Sequence, residues 1–258
     1  MALMEFLEQN ELYTTTQMTL PSSNTGTGLY LFDRNIGLGF TSVGYATTTT
    51  LVLGFSFSSP VRLSHILLQN HNLRDFRIYY NSVTANSLLI NATNSATSTY
   101  LSFSTVSSID SVDIQINGVF NTAGASATDT EKKLGEAVFT ERRLQFERNP
   151  SAPNWKPSLR RKQIIHEMPD GGVKVYNIRD KFRAQLSWQF VTDTFATNLR
   201  TVFTEALPLY FLPFPTSTGW ASEAYEVAWI GDYNFTYGDN AKAGGQNGSI
   251  EIMETAGG

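Results

Sequence analysis

The chain has 258 residues, 41% hydrophobic and 16% charged, enough to bury one large core or two modest ones without covalent staples. It contains no cysteine, which excludes disulfides and cysteine-ligated metals, and its formal charge of -4 provides no global attraction to nucleic acid or acidic lipid. The start, Met1-Ala2-Leu3-Met4-Glu5, lacks the basic flank and apolar run of a secretory signal, and no segment approaches the roughly twenty apolar residues of a membrane span. The expectation is synthesis in a cytoplasm without membrane insertion.

Charge divides the chain. Residues 1–130 hold four Lys or Arg against eight Asp or Glu, whereas residues 132–183 hold thirteen against six. The first half is crowded with Ser and Thr and has almost no helical periodicity. Its apolar runs predict short strands at 51–57, 61–68, 76–80, 100–103 and 112–116. In the last of these Val112, Ile114 and Ile116 alternate with Asp113 and Gln115, so one face packs and the other is wet. Many short strands separated by polar turns predict a β-sandwich. Residues 120–130 are small and polar, including Gly124, Ala125, Ser126 and Ala127, and read as a linker. The expected division is therefore a sandwich domain over 1–132, with its N-terminal arm and linker, and a second domain over 133–258.

The second half opens with a strand over 137–146 and a proline-punctuated loop over 149–157. Ile164 and Ile165, the turn Pro169-Asp170-Gly171-Gly172 and the run 173–176 predict a hairpin, because Asp-Gly readily adopts the positive φ angles such turns require. Phe182, Ala184, Leu186, Trp188 and Phe190 then alternate with polar residues, the signature of a strand buried on one side. From Asp193 the period changes. Phe195, Leu199, Val202, Phe203 and Leu207 form one helical stripe, and Pro208 stops the helix. Apolar runs after it predict further strands, so the fold class is mainly β, with one helix packed on the second domain's sheet.

No constellation of catalytic residues is visible. The three histidines, His65, His71 and His166, have no partner at a metal-ligand spacing, no serine sits in a G-x-S-x-G elbow, and Gly37, Gly39 and Gly44 complete no nucleotide fingerprint. No catalytic residue, metal or cofactor is expected, nor any specific nucleic-acid binding. Asn70, His71 and Asn72 follow an apolar strand; they would contact a glycan or, the favoured reading, cap the turn through hydrogen bonds to backbone. The basic run Arg160, Arg161 and Lys162, with Asp170, Arg179 and Lys181, is the candidate oligomer interface.

The order of elements from Pro169-Asp170-Gly171-Gly172 through the strand at 182–190, the helix at 193–207 and the strands at 208–215, 225–233 and 248–254 resembles the tail-tube-like domain of bacteriophage distal tail and minor tail proteins. The first half, with Leu31-Phe32-Asp33-Arg34 and the strand pair around Asn70-His71-Asn72-Leu73, resembles a discoidin-like (F5/8 type C) β-sandwich. Together these resemblances imply a structural virion protein of the tail tip or baseplate, made in the host cytoplasm. It would form a homo-oligomer ring, a hexamer or a trimer, that joins the tail tube to neighbouring phage tail proteins. The alternative is a carbohydrate-binding, lectin-like tail module that attaches to a host-surface glycan; all four tryptophans lie in the second half, where such a sandwich would not use them.

Overall fold

A computed structural model describes residues 3–20, 28–33, 38–42, 49–120, 131–150, 155–168, 172–205, 207–213, 224–238 and 245–255. The chain is mainly β, with a single α-helix among the described residues. It divides into two compact units, one made of Met1–Phe6, Arg143–Phe214 and Ala224–Gly257, the other built on Leu7–Arg142. This differs from the expected division at residue 132/133 in two places. The first strand, β1 (Glu5–Leu7), lies in the sheet of the C-terminal half, and the strand expected over 137–146 is split in two, its first part pairing within the N-terminal half. The linker residues 121–130 lie outside the described residues.

In the unit built on Leu7–Arg142, hereafter the first unit, segments predicted as separate short strands are continuous. Besides the short β2 (Met18–Thr19) and β3 (Phe40–Thr41), β4 (Leu51–Gln69) spans two predicted strands, as does β7 (Thr99–Val119). They pair antiparallel from Leu51 opposite Ile116 to Leu68 opposite Thr99, with register shifts between Ser56 and His65. The shifts fall where Ser58, Ser59 and Pro60 are exposed and, on the partner, where Ser108 takes φ 63°. Proline offers no N–H to a ladder, and irregular pairing bends a strand, so both strands pass from one layer into another. At one end they carry β5 (Leu73–Tyr80), β6 (Ser87–Asn91) and β2; at the other, β9 (Glu136–Thr140) pairs with β4, just after β8 (Lys133–Leu134), which pairs with β3. The layers meet at Phe139 on β9, whose ring lies 4.9 Å from Phe55 and 6.1 Å from Phe57. Leu51, Leu53, Phe55, Val112, Ile114 and Ile116 are all buried, as their alternation predicts.

The second unit is a seven-stranded sheet with the order β10 (Arg142–Gln145), β1, β13 (Leu209–Leu212), β14 (Tyr225–Tyr237), β15 (Gln246–Glu254), β12 (Val173–Val191) and β11 (Trp155–Glu167). Phe182, Ala184, Leu186 and Trp188 are buried along β12, but Phe190 is 58% exposed. Phe190 takes φ 59° at a register shift between Trp188 and Val191, which turns it outward and gives its buried place to Val191. The helix α1 (Asp193–Glu205) starts at Thr192, whose hydroxyl accepts the Phe195 N–H at 3.1 Å. Glu147 accepts in turn from the Thr192 N–H, at 3.0 Å. The buried face of α1 is Phe195, Ala196, Leu199 and Val202; Leu207, expected in the same stripe, lies past the helix end and is 55% exposed. The core beneath it is aromatic, with Phe146 5.2 Å from Phe6, 5.3 Å from Trp188 and 5.9 Å from Phe195.

Candidate functional site

The basic run Arg160-Arg161-Lys162 sits on β11, the outer strand of the sheet. β12 pairs with β15 only from Arg183 onward, so its residues 173–182 have β11 as their one partner strand among the described residues. The two strands thus continue past the sheet as a ribbon, closed by the Met168 N–H donating to the Gly172 carbonyl at 2.7 Å. Asp170 lies outside the described residues.

Three properties mark this ribbon as unfinished. A two-stranded ribbon is only marginally stable alone in water. Its large aliphatics face solvent: Leu159 is 69% exposed, Ile165 62%, and Ile164, Met168, Val173 and Val175 are exposed as well. Its backbone register also opposes like charges, Arg160 to Lys181 and Lys162 to Arg179, while Arg161 opposes Asp180. Lys181 is tied down by donating to the carbonyls of Glu254 and Thr255 at 3.3 and 3.4 Å. The sequence shows these cations and the hairpin at 164–176, which the structure contains, but not its extension into a ribbon that runs past the sheet.

The three candidate glycan-contacting residues are drawn into the fold of the first unit. Asn70 is exposed at φ 50°, a turn conformation that asparagine tolerates. His71 is buried; its Nδ1 accepts the Leu73 N–H at 3.2 Å and its Nε2 lies 2.9 Å from the Thr99 hydroxyl. With Nδ1 an acceptor, the ring is neutral and Nε2 donates. Burial pushes its pKa from 6.5 down to about 4. Asn72 donates to the Glu131 carbonyl at 2.7 Å and accepts the Lys133 N–H at 2.8 Å, pinning the chain that enters β8.

Another grouping had no signal in the sequence. The Ser64 hydroxyl lies 2.7 Å from His65 Nδ1, the contact of a nucleophile and its base, but both residues are buried and Ser64 also accepts the Arg142 N–H at 2.8 Å. The pair has no access for a substrate, and Ser64 serves to hold the Arg142 backbone N–H. Among the described residues no three metal-ligating side chains converge, and no helix is long and apolar enough to cross a membrane.

No protein-family model and no curated protein matches the chain. Among solved structures, the chain is similar to chitosan-binding module 1 of a chitosanase/glucanase from Paenibacillus sp. IK-5, at 13% identity over 52% of this chain and 98% of that one, with a TM-score of 0.41. It is similar to CpGH89CBM32-6 of Clostridium perfringens at 13% identity, 51% and 98% coverage and a TM-score of 0.38. It is also similar to the F5/8 type C domain of a Bacteroides fragilis protein at 14% identity, 54% and 98% coverage and a TM-score of 0.35. Likenesses this distant leave the role of the chain to be argued from its own surface.

Proposed function

We propose that this protein is a non-catalytic structural subunit that assembles with copies of itself through its second unit. The role is the one implied by the resemblance to distal and minor tail proteins, a ring at a phage tail tip that connects the tube to tip proteins. The observation that carries the reading is the ribbon of β11 and β12. It combines an uncovered strand edge, exposed aliphatics and a concentration of positive charge, which together are a hazard for a monomer and an interface for an oligomer. A closed ring removes that hazard, since each edge meets a neighbour and none is left over.

Sedimentation of the full chain over a range of concentrations, with negative-stain imaging, tests the proposal. A discrete oligomer of ring form is expected. Charge reversal at Arg160 and Arg161 should weaken it more than it lowers folding stability, and more at low salt, where screening is least. A chain that stays monomeric yet binds envelope glycans would replace this reading with the carbohydrate-binding one.

A further inference from the structure

Between α1 and the sheet of the second unit lies a cavity of about 170 Å³. Val202, Phe203 and Leu207 line it from the helix and the residues after it, and Leu209, Val227 and Trp229 from the sheet. The exposed Leu207 marks where it meets solvent. The indole N–H of Trp229 is buried and has no hydrogen-bond partner among the described residues. The side chains that line it are all hydrophobic, and backbone groups supply the polar part of its surface. The surroundings are acidic. α1, β13, β14 and β15 carry Asp193, Glu205, Glu226, Asp232, Glu251 and Glu254 against Arg200; Arg143 of β10 pairs with Glu205 and Arg183 of β12 with Glu251, which leaves an excess of acid, and the last turn of α1 holds no basic residue to offset the negative end of the helix.

The ribbon is the complement of this site. Residues 155–182 hold seven Lys or Arg and three Asp or Glu, leaving twelve and twenty in the rest of the chain. Near its turn Ile165 opposes Val175 and Glu167 opposes Val173, which sets three aliphatics, exposed by 62%, 51% and 61%, on one face. We infer that the ribbon of one copy docks at the cavity of a second copy and places Ile165 between Val202, Leu207 and Trp229. This rests on the assembly reading above. Cavities of about 150 Å³ accept benzene, so this one admits a branched aliphatic side chain. The contact joins two different surfaces of the chain and is therefore heterologous, the type that closes rings. Pairing β11 with its own copy across a two-fold axis would bring two Arg160–Lys162 clusters together, which like-charge repulsion opposes.

The test uses two full-length variants, Ile165→Asp on the exposed ribbon and Leu207→Glu at the rim of the cavity, with Val202→Phe to fill the cavity as a substitute if Leu207→Glu fails to melt cooperatively. Each variant alone should sediment as a monomer at concentrations where the wild type assembles. Mixed, the intact ribbon of one meets the intact cavity of the other, so a dimer and nothing larger should form. Wild-type-like assembly of either folded variant, or a mixture that stays monomeric, would overturn the docking while leaving self-assembly standing. A monomeric wild type would instead remove the assembly reading itself.

Discussion

The hydroxyl of Tyr233 on β14 donates to the carbonyl of Ala196 on α1 at 2.6 Å, joining the helix to the sheet by a polar contact at the edge of an otherwise apolar interface. The ring also stacks on Phe235 at 5.0 Å and packs 5.9 Å from Phe203. Tyr233→Phe keeps those ring contacts and removes only the hydroxyl. It should therefore cost about 1 kcal/mol of unfolding free energy, read from denaturant titration at unchanged slope. A variant as stable as the wild type would mean that the bond contributes nothing beyond what water provides.

The faces of α1 make a sharper contrast. Leu199 is buried and the next residue, Arg200, is exposed. Leu199→Ala should lose about 2–5 kcal/mol through lost burial and the void left behind. Arg200→Ala should stay within about 0.5 kcal/mol of the wild type. Thermal melts of the two variants side by side check both; equal melting temperatures would show that the helix does not pack by this face.

Local periodicity carried most of the fold. The alternation through Trp188 and the helical stripe from Phe195 to Val202 predicted burial that the structure contains, because each is set by neighbours in sequence. What stayed hidden depends on partners distant in sequence. Phe190 keeps the alternation yet points outward, since a register shift against β15 flips it. Polar stretches inside β4 and β7 read as turns, but in the fold they are bends of continuous strands that change layers. The ribbon was legible as a hairpin and as charge, but its lack of a third strand was not, because that is a property of the sheet order.

The N-terminal strand was the least legible element and leads to a prediction about cleavage. Phe6 on β1 is buried and packs 5.2 Å from Phe146 and 5.6 Å from Phe211, so the first residues of the chain complete the core of the unit built by its C-terminal half. Limited proteolysis should cut first within residues 121–130, whose small polar composition supplies little burial. The two fragments should then elute together under native conditions and separate only in denaturant. Phe6→Ala should weaken that association, with a cost of about 3–5 kcal/mol for removal of a buried Phe ring. Fragments that part without denaturant would show that β1 is not held in this sheet.

His71 gives the first unit a dependence on pH. Its pKa falls from 6.5 in the unfolded chain to about 4 in the fold, driven by burial. The folded state thus disfavours the proton, and the sign follows: the contribution to stability is fully present above 6.5 and is lost as pH falls toward 4. Protonation would also place an N–H on Nδ1 against the Leu73 N–H that it now accepts. Between pH 7 and pH 5 the loss should be about 2 kcal/mol, given 1.36 kcal/mol for each pKa unit. All other titrating groups are common to wild type and variant and cancel in the comparison. His71→Gln can still form hydrogen bonds in the turn but does not titrate. Its stability should be lower than that of the wild type at pH 7 and should close on it by about the same 2 kcal/mol at pH 5. Urea titrations of both proteins at the two pH values measure the difference directly, and a gap that stays constant would mean that His71 keeps an ordinary pKa in the fold.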